Sequence, residues 1–174
     1  MSSATIRPIG PEDLVGLAGL LDEYMVETFR KKWNGSVEGL RRDMLGKEAN
    51  ALIALDEGEP VGFSIYRRTY DAHHCLVGGE LLDIYVKQEL RGSVFAPLLI
   101  HETVSRVAKD GGFFLKGQGV SVQGDRFYDR LAVTFPGTEF ILGGRAFREL
   151  AGLHGRPLRE IIRLMPNRDA NFEP

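Results

Sequence analysis

Apolar residues recur at three- and four-residue spacing near the start of the chain, a pattern typical of an amphipathic helix. The apolar positions of this helix are Leu14, Leu17, Ala18, Leu21, Met25 and Phe29. Gly10-Pro11-Glu12-Asp13 places a proline and two acids where a helix begins. A short strand is predicted before it, from Thr5 to Pro8, and a second helix after it, from the N-cap Ser36 to about Leu45.

Apolar runs farther along the chain predict strands. Residues 51–56 and 61–66 flank a turn-rich connector, so we expect them to form an antiparallel hairpin. A loop over residues 71–77 leads to a strongly apolar strand that includes residues 81–86. The remaining predicted elements are a helix with one face at Ala96, Ile100, Thr103, Val104 and Val107, strands at 113–120 and 138–142, a helical segment at 124–131, and terminal helices at 145–153 and 158–164.

The order of these elements predicts the fold class. The connection from Tyr85 through a helix to Phe114 has the length of a right-handed crossover, so the two strands that it joins are expected to be parallel neighbours. The hairpin before them is expected to be antiparallel. We therefore predict an α/β domain with a mixed, mostly antiparallel central sheet and helices on both faces. No linker divides the chain, which favours one domain over residues 1–166 and a polar tail at 167–174.

Composition and net charge indicate which kinds of molecule the protein is expected to bind. The 174 residues include 43% hydrophobic and 26% charged residues, with a net charge of −2. This charge gives no attraction to nucleic acid or to an anionic membrane, so a small molecule is the expected partner. Cys75 is the single cysteine, and no secretion signal or long apolar span is found, which favours a cytoplasmic location. A homodimer is left open as the assembly.

The residues that follow the apolar run 81–86 suit an anion. A strand, a tight loop and a helix start leave backbone N–H groups pointing the same way, and the helix dipole favours a negative charge there. This loop contains one glycine, Gly92, and a branched Val94 where the chain is expected to pass closest to a ligand. Valine removes no donor if its φ stays negative, whereas a positive φ would weaken binding roughly tenfold to a hundredfold.

The order of elements and two motifs resemble the GNAT superfamily of acetyl-CoA-dependent N-acetyltransferases, over about residues 5–150. The phosphate loop of that family reads Arg or Gln, two free positions, Gly, one free position, then Gly or Ala. Arg91 and Ala96 match this loop, and Val94 replaces its glycine. The family's second motif, Phe-Tyr followed by Leu, is similar to Phe127-Tyr128-Asp129-Arg130-Leu131, and Ser121 stands where many members have asparagine.

This resemblance implies acetyl-CoA as a co-substrate and acetyl transfer to the amine of a small molecule. Backbone N–H groups near residues 84–86 would orient the acetyl carbonyl, and those of residues 92–96 would bind the pyrophosphate. The implied coenzyme-binding residues are Ile84, Tyr85, Val86, Arg91, Gly92, Ser93, Val94, Phe95, Ala96 and Ser121.

Acetyl transfer to an amine needs a base, because an amine with a pKa of about 10.4 is mostly protonated at neutral pH. Glu80, six residues before Val86, is the candidate, since a glutamate at this distance serves as base in some family members. The alternative is a strand-end carboxylate paired with Arg67, Arg68 or solvent. Asp83 is expected on the opposite face of the strand.

The remaining candidates concern the leaving group, the acceptor and metals. Tyr128 resembles the family tyrosine that protonates the departing thiolate, the alternative being a core tyrosine. Glu27, Trp33 and Tyr66 are candidate acceptor-binding residues, although acids on the outer face of a helix would give the same pattern. The adjacent histidines His73 and His74 lack the spacing of a tetrahedral zinc site, so no metal is expected. The rival interpretation is a catalytically silent acyl-CoA-binding or scaffold protein.

Overall fold

A computed structural model of the protein describes residues 4–46, 48–118, 129–134 and 139–168. Within these ranges the chain forms two compact units. The first contains residues 4–66 and 83–100, and the second contains residues 67–82 and 101–168.

The helices of the first unit begin at the residues that the sequence indicates. Helix α1, Leu14–Phe29, follows a 3-10 turn in which the Asp13 carboxylate accepts the Gly10 N–H at 2.7 Å. It ends at Arg30, whose left-handed backbone conformation (φ 57°) breaks the helical path. Helix α2, Val37–Asp43, begins at the predicted cap, because the Ser36 Oγ accepts the Gly39 N–H at 3.0 Å.

The first unit contains strands β1, Thr5–Pro8, and β2, Asn50–Asp56, the part of β3, Glu59–Asp71, up to residue 66, and the part of β4, Leu76–Val86, from residue 83. The first three are joined in antiparallel pairs, with Ile53 opposite both Arg7 and Phe63. A two-residue turn with positive φ at Glu57 and Gly58 closes the predicted hairpin. The Lys87 N–H donates to the Val61 carbonyl at 2.9 Å, which places the end of β4 beside the beginning of β3.

The core of the first unit lies between α1, α2 and one face of these strands. Leu14 and Leu17 are fully buried, and they belong to one cluster with Phe63 and Tyr85. Residues 51–54 of β2 are each 4% exposed or less, so both faces of this strand are covered. Phe29, which the periodicity places on the apolar face of α1, is 47% exposed because it is the last residue of the helix.

The second unit contains the predicted crossover. Helix α3, Phe95–Lys109, leads to β5, Leu115–Gln118, which pairs in parallel with β4 at Gly79, Glu80 and Leu81. A Cβ on Gly79 would lie 2.5 Å from a methyl group of Val107, so α3 and β4 approach too closely for any larger residue. The parallel neighbours predicted from the sequence are therefore confirmed.

Two further strands extend β5 in the antiparallel sense. Strand β6, Val133–Thr134, pairs with β7, Glu139–Leu142, which pairs with β5, so the order in this unit is β4-β5-β7-β6. Helices α4, Gly144–Ala151, and α5, Leu158–Arg163, follow. The predicted fold class, a mixed and mostly antiparallel sheet with packed helices, is confirmed.

Several element boundaries differ from the sequence prediction. Strand β3 continues to residue 71 rather than 66, α2 ends two residues early, and the two-residue β6 was not predicted because it is too short to show a pattern. Of the helical segment predicted at 124–131, only residues 129–131 are described, and they are helical. No helix in the described ranges has the length and apolar character to cross a membrane.

Candidate functional site

The segment that joins β4 to α3, residues 87–94, is called here the β4–α3 loop. A 3-10 turn over residues 88–90 opens it, with the Leu90 N–H donating to the Lys87 carbonyl at 2.9 Å. Gly92 follows with φ +81°, a left-handed conformation that glycine adopts without strain. The Ser93 N–H then returns to the Leu90 carbonyl at 3.3 Å. The loop is thus a tight turn that needs glycine at position 92.

The first turn of α3 presents its backbone N–H groups beside this loop. The helical hydrogen bonds begin with the Leu98 N–H, which donates to the Val94 carbonyl at 3.1 Å. The N–H groups of Phe95 and Ala96 precede that bond, and the first N–H groups of a helix have no acceptor within it. Pro97 has no N–H to satisfy. The positive end of the helix dipole adds to these donors, so the junction is suited to bind an anion.

Val94 fits this junction without a strained backbone. Among the described residues, the non-glycine residues with positive φ are Arg30, Glu57 and Cys75, and Val94 is not one of them. Its side chain is 38% exposed. The condition under which the sequence tolerates a valine is therefore met, and the position that requires glycine is Gly92.

Arg91 directs its side chain back into the protein. Its Nε donates to the Val86 carbonyl at 3.0 Å, and its Nη1 and Nη2 donate to the two carboxylate oxygens of Glu27 at 2.5 and 2.7 Å. The guanidinium also lies 5.5 Å from the centre of the Tyr85 ring. The hydrogen bond from Arg91 lowers the pKa of Glu27, and the same bond raises the pKa of Arg91. Arg91 therefore ties the loop to β4 and to α1.

Tyr85 is the centre of the polar group around Arg91. Its hydroxyl oxygen lies 3.4 Å from a carboxylate oxygen of Glu23 and 3.4 Å from one of Glu27, so its single proton is shared between them. Lys87 forms an ion pair with Glu23 at 3.7 Å. Burial, followed by the charges of the two glutamates, raises the pKa of Tyr85 to about 12. The phenol therefore stays protonated at neutral pH and serves as a donor. We call Glu23, Glu27, Tyr85, Lys87 and Arg91 the Arg91 cluster.

Asp83 occupies a neighbouring position on β4. One of its oxygens, Oδ1, accepts the hydroxyl of Tyr24 at 2.9 Å. The Tyr24 ring packs edge-on against Phe63, with ring centres 6.0 Å apart, and is itself only 7% exposed. This fixes a half-buried carboxylate in the same unit as the β4–α3 loop. The sequence predicts that Asp83 lies on a strand, but it does not indicate its hydrogen-bond partner, because Tyr24 is 59 positions away.

Glu80, the predicted base, belongs to the second unit. Its Oε2 forms an ion pair with the Nε of Arg67 at 2.8 Å, which is the pairing that the sequence leaves as the alternative to a base. Lys116 stands opposite it in the parallel register of β5. Tyr128 and Ser121, predicted as acid and coenzyme contact, lie outside the described residues.

The three predicted acceptor-binding residues occupy different environments. Glu27 belongs to the Arg91 cluster, so its negative charge is matched by a guanidinium. Trp33 packs against the core cluster of the first unit, and its backbone N–H donates to Asp22 at 3.0 Å. Tyr66 is 6% exposed on β3, opposite Asn50 of β2.

The histidine-containing turn after β3 is built from local hydrogen bonds. The Asp71 carboxylate accepts the His73 N–H at 2.8 Å and contacts the His74 ring nitrogen at 2.7 Å. In the described part of the chain, no group of three or more His, Cys, Asp or Glu side chains is arranged to hold a metal ion.

Solved structures of acetyltransferases have a similar fold. A ribosomal-protein-alanine N-acetyltransferase from Brucella melitensis is 23% identical, covers 77% of this chain and 94% of its own, and has a TM-score of 0.64. The PaiA N-acetyltransferase from Thermoplasma acidophilum, solved with coenzyme A, is 21% identical over 80% of this chain and 96% of its own, with a TM-score of 0.59. A GNAT-family acetyltransferase from Staphylococcus aureus is 11% identical over 81% and 99%, with a TM-score of 0.63.

Sequence comparison adds no closer relationship, because no protein-family model and no curated protein matches the chain. The likeness therefore lies in the fold of the backbone. The chain has the fold of the GNAT acetyltransferases.

Proposed function

We propose that this protein transfers the acetyl group of acetyl-CoA to the amine nitrogen of a small molecule. The observation that carries the proposal is the β4–α3 junction, where Gly92 turns the chain and the N–H groups of Phe95 and Ala96 begin a helix. A diphosphate is the anion that such a junction suits, because several backbone donors and the helix dipole act on it together. The PaiA structure with coenzyme A, which has a similar fold, supports the choice of coenzyme.

The proposed reaction is a direct transfer. A base takes a proton from the ammonium group, and the freed lone pair attacks the thioester carbonyl to form the C–N bond. The C–S bond then breaks, and the thiolate leaves with the electron pair and takes a proton from the phenol of Tyr128. The nitrogen, which still carries one proton too many for an amide, returns that proton to the tyrosinate and restores the phenol. Backbone N–H groups near residues 84–86 would orient the carbonyl and stabilise its developing negative charge.

Glu80 is the proposed base. Asp83 is the other carboxylate on β4, and the two differ in the hydrogen bonds that their side chains already accept. The Nε of Arg67 donates to Oε2 of Glu80 at 2.8 Å, so this oxygen already has a partner within the protein. Asp83 accepts only a neutral hydroxyl at Oδ1 among the bonds described for it. The rival function, a silent acyl-CoA-binding protein, is favoured by this engagement of Glu80.

The proposal is tested first by binding and then by turnover. Isothermal titration with acetyl-CoA should show one site per chain, and no binding at millimolar coenzyme would contradict the proposal. Thiol release is then measured with alkylamines, diamines, aromatic amines and peptides with free amino termini. Turnover with a small amine would support the proposed function. Turnover with peptides alone would show that the acceptor is the amino terminus of a protein. Binding of acetyl-CoA without turnover would support the catalytically silent acyl-CoA-binding protein.

Removal of the proposed acid and base should lower turnover more than coenzyme affinity. We expect Tyr128→Phe and Glu80→Gln each to reduce kcat about 10²- to 10⁴-fold, the usual contribution of a positioned proton donor or acceptor. The dissociation constant for acetyl-CoA should stay within about twofold, because neither side chain is proposed to bind the coenzyme. Asp83→Asn is the matched carboxylate control. A larger loss of kcat in that variant than in Glu80→Gln would assign the base to Asp83.

A further inference from the structure

The contact between Arg91 and Glu27 joins two segments that are distant in sequence. The residues are 64 positions apart, one in the β4–α3 loop and the other on α1. Each of the three guanidinium nitrogens donates one hydrogen bond, two to Glu27 and one to the Val86 carbonyl. A bidentate pair of this kind fixes both the distance and the orientation of its partners. The position of the loop is therefore set from α1 as well as from β4.

This geometry disfavours two simpler roles for the pair. Three of the five N–H groups of the Arg91 guanidinium donate to Val86 and Glu27, so most of its donors are directed at the protein, and Arg91 contributes mainly through the backbone that it holds. The charge of Glu27 is already matched by this guanidinium, which disfavours the binding of a second cation, the ammonium group of an acceptor. The Tyr85 hydroxyl also lies 3.4 Å from Glu27 and shares its proton with Glu23.

The exposure of the pair indicates what it stabilises. The side chains of Arg91 and Glu27 are 32% and 37% exposed, and ion pairs that are this accessible to water add little to global stability. Among the described residues, none beyond the two chain neighbours of Gly92 has an atom within 4 Å of the position that a Cβ on Gly92 would take, so these residues do little to hold the loop there by packing. The pair therefore acts mainly on the local order of the loop.

We propose that Glu27 is a positioning residue for the coenzyme, which acts by holding Arg91 so that the N–H groups of the β4–α3 loop and the first turn of α3 are aligned before the diphosphate arrives. This proposal rests on the proposed function and goes beyond it. It replaces the acceptor-binding role that the sequence predicted for Glu27. A loop that is aligned in advance loses less conformational freedom on binding, which is how such a contact raises affinity.

The test compares Glu27→Gln, Arg91→Gln and the double variant by titration with acetyl-CoA. We expect each single variant to raise the dissociation constant about tenfold, the scale of ordering a few side chains. The double variant should bind acetyl-CoA no more weakly than Arg91→Gln, because both residues act through one contact.

Arg91→Lys should also lose affinity for acetyl-CoA, since an ammonium group keeps the charge but cannot form the bidentate pair. In steady state, KM for acetyl-CoA should rise while kcat at saturating coenzyme changes less than about twofold.

Asp13→Asn is the matched control, because Asp13 forms a comparable bidentate pair with Arg7 in the same unit, at 2.5 and 2.8 Å. Its carboxylate is only 8% exposed and it lies away from the β4–α3 loop in sequence. We expect this control to lower the melting temperature without changing coenzyme affinity. Glu27→Gln should do the opposite, with a small change in melting temperature and a large change in affinity.

Three results would overturn the proposal. In the first, Glu27→Gln raises KM for the amine and leaves coenzyme affinity unchanged, which would restore the acceptor-binding role. In the second, the two single losses add in the double variant, so the residues act independently. In the third, neither variant differs from the wild-type protein.

A readout without coenzyme separates this proposal from the proposed function. In the ligand-free protein, the Ser93 and Leu98 N–H groups donate to the Leu90 and Val94 carbonyls, so their hydrogen exchange reports the order of the loop and of the helix start. Glu27→Gln should speed exchange at these two amides, and Asp13→Asn should not. If the wild-type protein fails to bind acetyl-CoA, the proposed function fails. Unchanged exchange in Glu27→Gln would instead overturn the positioning role.

Discussion

At the scale of single residues, the backbone conformation of the β4–α3 loop decides whether a residue that departs from the family motif is compatible with anion binding. The family pattern places glycine where this chain has Val94, yet the described φ angles assign the left-handed conformation to Gly92. A side chain at a left-handed position costs roughly 1–2 kcal/mol, whereas a valine with negative φ carries no such cost. A valine also keeps the backbone N–H that a glycine would supply. The departure from the motif is therefore compatible with anion binding.

Substitutions at these two positions should have opposite consequences. We expect Gly92→Ala to weaken acetyl-CoA binding about fivefold to thirtyfold, the affinity equivalent of roughly 1–2 kcal/mol of backbone strain. In the part of the chain that the structure describes, the added Cβ would meet no atom within 4 Å beyond its chain neighbours, so the expected effect comes from conformation and not from a clash. Val94→Gly should leave the dissociation constant within about twofold, because no strain is relieved. Tenfold tighter binding in Val94→Gly, measured by titration, would show that the valine does hinder the coenzyme.

At the scale of elements, α1 is placed by a polar contact at its start and by apolar contacts along its length. The Arg7 guanidinium on β1 binds both oxygens of Asp13, and Asp13 also accepts the Gly10 N–H before the helix. Leu14 and Leu17 then enter the core. These contacts fix the start of α1, whereas Glu27 lies near its other end. The same hydrogen bond from Arg7, more than any other cause, lowers the pKa of Asp13.

Asp13→Asn should lower stability in a manner that depends on pH. We expect the free energy of unfolding at pH 7 to fall by about 1–3 kcal/mol, the range for losing charged hydrogen bonds to a buried group. Because the folded pKa of Asp13 is below its ordinary value of 3.8, its contribution is complete above that value and is lost as pH falls through the folded pKa. Denaturant unfolding at pH 7 and at pH 3 should therefore show a smaller difference between wild type and variant at pH 3.

The control for this comparison is Glu149→Gln on α4. Its carboxylate pairs with Arg145 at 3.6 Å, and both side chains are more than half exposed, so no measurable change is expected. A wild-type advantage that stays constant between pH 7 and pH 3 would contradict the assigned role of the Asp13 carboxylate.

At the scale of the whole molecule, the described residues form two units, and the parts that we assign to coenzyme binding belong to the first. The β4–α3 loop, the first turn of α3 and the Arg91 cluster all lie in residues 4–66 and 83–100. A ligand that binds only the folded state stabilises the whole chain in proportion to the logarithm of its concentration. Thermal unfolding therefore gives a measure of binding that does not require turnover.

Acetyl-CoA should raise the melting temperature by an amount that depends on its diphosphate. At 100 times the dissociation constant, the stabilisation is about 2.7 kcal/mol, and a chain of this length gains roughly 2–4 °C per kcal/mol. Acetylpantetheine, which keeps the thioester arm and lacks the diphosphate, is the matched control ligand and should give a much smaller rise. Equal shifts from the two ligands at equal concentration, in a differential scanning measurement, would contradict diphosphate binding by the loop.

Much of the fold follows from short-range patterns in the sequence. The periodicity of α1, the Ser36 cap of α2, the Glu57-Gly58 turn and the crossover from β4 to β5 are each determined within a few residues or by the length of one connection. Element ends were less predictable, as the continuation of β3 to residue 71 shows, because strand length depends on the neighbouring strand.

The sequence by itself determined that a strand, a glycine turn and a helix start follow one another at residues 86–96, because these depend on local backbone preferences. Only the tertiary structure decided that Glu27 binds Arg91, that Tyr24 binds Asp83 and that Arg67 binds Glu80. Helical periodicity gives the face of α1 on which an acid lies but not the partner that it meets. That partner is set by which elements pack together, since Glu27 and Arg91, Tyr24 and Asp83, and Arg67 and Glu80 are far apart in sequence. The candidate site was therefore partly predicted and its internal pairing was not.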